Sequence, residues 1–274
     1  MIELEDSVGD IVGKAQRGLG ISDSELAKKS GARTDAIHKV RDGSFDEVTL
    51  RAIAPVLNLD ANALVDLAHC RWRPDVLENF DGLAQFNTSY GGMLVNAYLV
   101  WDLRTKHAAA FDTGADCSGM LKFATKENLG IEMILLTHAH PDHVADLPRL
   151  REETGAEVWA PAREPVPGAE KIEEGKHFRL GKIDIEARLT WGHSQGGMTF
   201  VVQGLTRTIA IVGDSMFAGS MGGGSVSYKD AFQNNLEKIL TLPNKTIICP
   251  GHGPMTSVGE EKKHNAFFAA RFRK

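Results

Sequence analysis

The segment Ile134-Leu135-Leu136-Thr137-His138-Ala139-His140-Pro141-Asp142-His143 constrains this chain more than any other stretch. An apolar run ends in three imidazoles and a carboxylate packed into six residues. In extended backbone, residues i and i+2 point to the same side, so His138 and His140 can approach one ion together. Pro141 suits the first turn of a helix, and that turn aims Asp142 and His143 at a neighbouring point. Neutral imidazole and carboxylate suit zinc, and also iron or manganese. One ion needs three or four donors, so others must come from elsewhere. The candidates are His193 in Trp191-Gly192-His193-Ser194, Asp214 in Val212-Gly213-Asp214-Ser215 and His252 in Pro250-Gly251-His252-Gly253. Each follows a strand pattern, and its flanking glycines let the backbone bend sharply beside a site. His38, His69, His107, His177 and His264 lie outside this constellation and receive no metal role.

The chain around the motif divides near residue 72. Residues 72–274 alternate short β-rich runs with helical ones. Strands are predicted at 94–101, 108–111, 133–136, 157–160, 183–189, 198–202, 208–212 and 246–249, and helices at 118–128, 144–154 and 231–241. Strands followed by helices imply a layered α/β domain. Residues 1–71 read as all helix. Apolar residues recur there at helical spacing, from Val8, Ile11 and Val12 to Leu50, Ile53 and Leu57, with Ser22 as an N-cap and Gly31 as a stop.

Composition narrows the class. With 42% hydrophobic and 24% charged residues, the chain is neither disordered nor collagen-like. A net charge of -5 gives no global field toward nucleic acid or a membrane surface. Three scattered cysteines make neither a disulfide framework nor a zinc-thiolate site, which fits a reducing compartment. The acidic start Met1-Ile2-Glu3-Leu4-Glu5-Asp6 lacks a secretory h-region, and no apolar run is long enough to span a bilayer, so a cytoplasmic location is expected.

The order HxHxDH, then His, Asp and His, resembles the metallo-β-lactamase superfamily. Asn96-Ala97-Tyr98-Leu99-Val100 followed by Phe111-Asp112-Thr113-Gly114 is similar to that family's opening. The resemblance covers about residues 76–274. It implies an αββα sandwich with a two-metal site at one edge of the sheets. Carried over residue by residue, it assigns His138, His140 and His193 to a first ion, Asp142, His143 and His252 to a second, and Asp214 to both. Asp112 would support the histidines from behind. Asp142 and Asp214 are the residues taken as catalytic. Two cations about 3.5–4 Å apart can hold a hydroxide at neutral pH, which suits hydrolysis of a small-molecule thioester, ester, lactone or phosphodiester, with a thioester or ester expected here.

Branch features sharpen the expectation. Asp at position 214 and the lack of an export signal argue against antibiotic hydrolysis. Acyl-homoserine lactonases place a Tyr three residues after the bridging Asp, where this chain has Phe217. Gly213-Asp214-Ser215-Met216-Phe217 and Pro250-Gly251-His252-Gly253-Pro254-Met255-Thr256 are instead similar to the glyoxalase II branch. Against glutathione stand the 22 residues after His252, too few for that branch's thiol-gripping helices, and the glycines of the loop 219–224 where many relatives carry an Arg. That loop reads equally as a lid or a plain connection. Persulfide dioxygenases look alike in sequence yet use one iron, which leaves a second chemistry open.

The first 71 residues hold a smaller resemblance. Leu26-Ala27-Lys28-Lys29-Ser30-Gly31, with Ile37, Gly43, Leu50, Ile53, Ala54 and Leu57, resembles the helix-turn-helix of phage-repressor-like (XRE) proteins over about residues 7–68. Its recognition helix, 33–41, would present Thr34, His38, Lys39 and Arg41 to DNA. Residues 1–70 carry 8 basic and 12 acidic side chains, a poor phosphate footprint. The helices are therefore read chiefly as serving a homodimer or covering the catalytic domain. The competing class is a DNA-binding regulator whose metallo-domain senses a ligand.

Overall fold

The computed structural model describes residues 2–75 and 80–273. The chain opens with five helices: α1 (Val8–Leu19), α2 (Asp23–Ser30), α3 (Thr34–Arg41), α4 (Glu47–Val56) and α5 (Ala61–Ala68). Local chemistry sets their ends. Ser7–Asp10 and Ser22–Glu25 close reciprocal capping boxes, and Gly20 and Gly31 take left-handed conformations that stop α1 and α2.

Two six-stranded sheets follow. The first holds β1 (Leu83–Tyr90), β2 (Met93–Trp101), β3 (His107–Phe111), β4 (Gly130–Leu135), β5 (Glu157–Pro161) and β6 (Glu170–Ile172) in spatial order. β1 to β3 are antiparallel, and β3 to β6 run parallel. The second is built from β7 (His177–Leu180), β8 (Ile183–Leu189), β9 (Met198–Gln203), β10 (Ile209–Gly213), β13 (Ile247–Pro250) and β14 (Thr256–Ser257), with a small hairpin of β11 (Met216–Phe217) and β12 (Ser220–Met221) beside it. The helices α6 (Ser118–Lys126), α7 (Pro141–Val144), α8 (Leu147–Thr154), α9 (Tyr228–Asn234) and α10 (Val258–His264) complete the layers.

Strand alternation builds three apolar layers. In β2, Tyr98 and Val100 point between the sheets, where they meet Phe111, Phe200, Ile209 and Ile211. Ala97, Leu99 and Trp101 point the other way, onto α6 and α8 with Met120 and Leu150. The outer face of the second sheet, Val201, Ala210 and Val212, packs with Ile239, Val258 and Phe268. This is the four-layered αββα arrangement that the family resemblance implied.

The third layer also contains Ile11, Val12, Leu26, Ile37, Leu50, Ile53, Leu57 and Leu64 of the opening helices. Module and sandwich thus share one apolar layer. Trp72 stacks on His264 at 5.1 Å and donates its indole N–H to Glu260 at 3.0 Å. Gly18 lies against the ring of Tyr228 so closely that a Cβ there would fall 2.2 Å from a ring carbon.

Some elements differ from the sequence expectation. The predicted helix 144–154 is two pieces, broken at Ala145–Asp146, where the Asp146 carboxylate accepts the Cys117 N–H at 2.8 Å. The predicted helix 231–241 starts earlier, at Tyr228, and ends in a π-helical turn at Ile239. β1, β6 and β7 were not anticipated, because β1 is polar and half-buried and the other two are short sheet-edge strands. Of the loop 219–224, residues 219–222 are buried and 223–224 half-buried. A Cβ on Gly222 would fall 1.7 Å from the carbonyl oxygen of Asp214, so only glycine fits.

Candidate metal centre

The parallel strands end on one side of the sandwich, and the polar loops collect there. The exit of β4 carries His138 and His140, and α7 follows with Asp142 and His143. The β8–β9 loop brings His193, the turn after β10 brings Asp214, and the turn after β13 brings His252. The first two of these elements belong to one sheet's edge and the last three to the other's, so the centre straddles the gap between them.

Two groups of donors form. His138, His140, His193 and Asp214 make one, and Asp142, His143 and His252 make the other; donor atoms within each lie within 4.8 Å of one another. In the first, His140 Nδ1 sits 3.0 Å from His138 Nε2 and 3.1 Å from His193 Nε2. Nitrogens bound to one tetrahedral zinc ion lie roughly 3.3 Å apart, given bonds of about 2.0–2.1 Å. In the second, His252 Nε2 is 3.2 Å and His143 Nε2 3.5 Å from Asp142 Oδ2. Asp214 faces both groups. Its Oδ2 is 3.3 Å from His193 Nε2 and 3.5 Å from His252 Nε2, while its Oδ1 is 3.3 Å from His143 Nε2.

The outer ring nitrogens fix which atoms face inward. His252 Nδ1 donates to the Leu94 carbonyl at 2.6 Å, and His193 Nδ1 to the Gly223 carbonyl at 3.1 Å. His143 Nδ1 donates to Asp112 at 2.8 Å. Each acceptor has no proton to give, so each Nδ1 keeps its hydrogen while the ring is neutral and Nε2 presents a lone pair to the centre. Asp112 also accepts the Thr137 N–H at 2.7 Å and the Thr137 hydroxyl at 2.8 Å, and that hydroxyl lies 3.0 Å from His138 Nδ1.

Two buried atoms at the middle have no hydrogen-bond partner, His143 Nε2 and Asp214 Oδ1. Leaving such groups unpaired costs about 1–3 kcal/mol each, and inward lone pairs with an unpaired carboxylate oxygen are the donor set a divalent cation satisfies. The carboxylates draw positive charge to the centre, either a second proton on His143 and His252 or a cation in its place. Burial pushes His138 well below the usual imidazole range and also lowers His193. Burial pulls His143 and His252 down as well, but carboxylates outweigh it: Asp112 and Asp214 hold His143 at about 10, and Asp142 and Asp214 hold His252 at about 11. Burial raises Asp214, yet the surrounding histidines, His143 first, reverse this and keep it well below the usual carboxylate range.

Several residues near the centre had no role in the sequence reading. Asn96 Nδ2 donates to the carbonyls of Pro250 at 2.9 Å and Gly253 at 2.8 Å, and the Tyr98 hydroxyl donates to Pro250 at 2.8 Å, so β2 holds the His252 turn. The only signal was their place in the family-like strand. The module also reaches the centre. Lys14 Nζ donates to Asp6 at 2.6 Å and to the Met221 carbonyl at 3.0 Å, and lies 4.9 Å from the centre of the Phe217 ring, which packs 5.8 Å from His252. Glu5 runs beside Gly253, where a Cβ would sit 3.2 Å from its backbone nitrogen.

The DNA candidates lie elsewhere. Thr34, His38, Lys39 and Arg41 are exposed on α3, but Asp23 binds His38 at 2.8 Å and Arg41 at 2.7 Å.

The profile of the metallo-beta-lactamase superfamily matches residues 90–252. The chain belongs to this superfamily. Within it, the hydroxyacylglutathione hydrolase GloC of Haemophilus influenzae is 27% identical over 201 residues, spanning 64% of this chain and 93% of that protein. The solved BLEG-1 B3 metallo-beta-lactamase superposes with a TM-score of 0.58 at 26% identity, covering 67% of this chain and 99% of that one. TTHA1623 in a di-iron-bound form gives a TM-score of 0.54 at 28% identity, covering 67% and 100%. Members of the superfamily are generally metal-dependent hydrolases, and the described residues include no helix long and apolar enough to cross a membrane.

Proposed function

We propose that this chain is a binuclear metal-dependent hydrolase that attacks the thioester or ester carbonyl of a small molecule. The observation that carries the reading is Asp214, whose two oxygens face two separate donor groups from 3.3 Å. In this reading His138, His140 and His193 hold one ion, Asp142, His143 and His252 hold the other, and Asp214 joins them. A pair of divalent cations supplies a nucleophilic water at neutral pH and Lewis acidity toward a carbonyl oxygen. The protein's own contribution is orientation. Asp112 fixes the His143 ring, and the Leu94 and Gly223 carbonyls fix His252 and His193. Zinc suits the nitrogen-rich first group, and the di-iron form of TTHA1623 supports iron as the alternative. GloC supports a thioester over a phosphodiester.

The helical module is read as an accessory wall of the catalytic unit. On α3, His38 and Arg41 already meet Asp23, which leaves less charge for phosphates.

The test is a panel of acyl thioesters and esters offered to zinc- and iron-loaded protein. Hydrolysis that a chelator abolishes and a divalent ion restores supports the reading. Fully loaded protein that cleaves none of them, but consumes oxygen with a persulfide, contradicts it.

A further inference from the structure

The first donor group is assembled from two sheets, and something must hold its halves at the right spacing. His138 and His140 leave β4 of the first sheet, and His193 comes from the β8–β9 loop of the second. The outer nitrogens of His138, His143, His193 and His252 are each anchored on protein. His140 is different. Among the described residues it hydrogen-bonds only the two imidazoles beside it. Its position must therefore be set through its backbone.

That backbone is held by a carboxylate from a third loop. Glu164, between β5 and β6, accepts the Ala139 N–H on Oε2 at 2.8 Å. Its other oxygen accepts the Gly196 N–H at 2.6 Å. Ala139 separates His138 from His140, and Gly196 lies three residues after His193. One side chain thus ties both donor loops, with one charge-assisted bond to each. The second loop is shaped to receive it. A Cβ on Gly196 would lie 2.9 Å from Pro161 Cβ and 3.2 Å from Glu164 Cγ, so glycine permits the approach. A backbone bond across the same gap, Met198 N–H to the Thr137 carbonyl at 2.8 Å, leaves the His140 side untethered.

We propose that Glu164 is a positioning residue that sets the spacing of His140 and His193 and so tunes cation affinity at the first donor group alone. The inference rests on the metal reading given above. Partners that orient metal-binding residues in this way change affinity by about 10–100-fold when removed.

The experiment measures zinc affinity by chelator competition in two backgrounds, with apo-protein melting temperature recorded alongside. His252→Ala disables the second group and reports the first; His193→Ala disables the first and reports the second. Glu164→Ala should weaken zinc about 10–100-fold in the first background and leave the second unchanged. Glu164→Gln retains one acceptor oxygen, so it should fall between wild type and Glu164→Ala. It also keeps the side chain's volume if Glu164→Ala folds poorly. Unchanged first-group affinity would overturn the proposal. So would equal weakening of both groups with a lower apo melting temperature, which would make Glu164 a stability residue. Wild-type protein that takes up no divalent ion would overturn the metal reading itself, and this inference with it.

Discussion

The helical module and the metal centre both gather charged side chains, and they dispose of them in opposite ways. In the module, Asp23 meets His38 and Arg41 at 2.7–2.8 Å, and Arg33 meets Asp35 at 2.6 Å, all at partly or largely exposed positions. Exposed pairs of this kind contribute about 0–1 kcal/mol and close on themselves. At the centre most of the groups are buried, the outer ring nitrogens of His138, His143, His193 and His252 are held by the protein, and His143 Nε2 and Asp214 Oδ1 converge at the middle without a hydrogen-bond partner. Completed surface pairs need nothing further. Buried donors aimed at a common point require a partner, because burial without one is costly. The same residue types therefore read as solvated structure in one region and as a binding site in the other.

The largest expected effect removes the residue that joins the two donor groups. Asp214→Asn keeps the shape of the side chain and loses its charge. It should retain the fold, weaken cation binding and lower hydrolysis by about 10²–10⁴-fold. Circular dichroism, elemental analysis and kcat on one preparation check this. Near-wild-type turnover with full metal content would remove Asp214 from the chemistry.

A smaller effect tests whether the module is a neighbour or part of the same body. Gly18→Ala forces a Cβ into the Tyr228 ring, the tightest module contact at α9. It should cost roughly 1–3 kcal/mol of stability, read as a shift in denaturant midpoint, and leave metal content alone. Metal loss in this variant would show that the contact carries the centre as well as the docking.

An effect of similar size, spread over a pH range, concerns a buried carboxylate outside both regions. Burial raises Glu261 from an ordinary 4.5 to about 7, against hydrogen bonds from Asn265, Thr256 and the Gly219 N–H. A raised folded pKa favours the neutral acid in the native state. Its stabilisation is complete below about pH 4.5 and is lost as pH rises through 7, up to roughly 3 kcal/mol in all. Glu261→Gln should flatten that slope in pH-dependent urea melts, and an identical slope would place the titration elsewhere.

The two regions also differed in how legible they were. The donors of the centre stood out because imidazoles at i and i+2 after an apolar strand, and glycine-flanked His and Asp after others, are patterns with a geometric consequence. The strands β2, β3, β9 and β10 were legible as short β-rich apolar runs. The supports did not. Glu164 sits in Pro161-Ala162-Arg163-Glu164-Pro165, where nothing local distinguishes it, and its bonds are to backbone N–H groups that no side-chain pattern records. The opening helices showed their caps and periodicity, but not that their apolar face continues the layer outside the second sheet. Such contacts depend on packing between distant segments, as between Lys14 and Met221.

Metal stoichiometry tests the central claim most directly. Protein prepared without chelators and analysed for zinc, iron and manganese should carry about two divalent ions per chain, since the donors form two groups joined by Asp214. One iron per chain, bound by His138, His140 and His193 with the Asp142–His143–His252 group still empty at saturating metal, would contradict it.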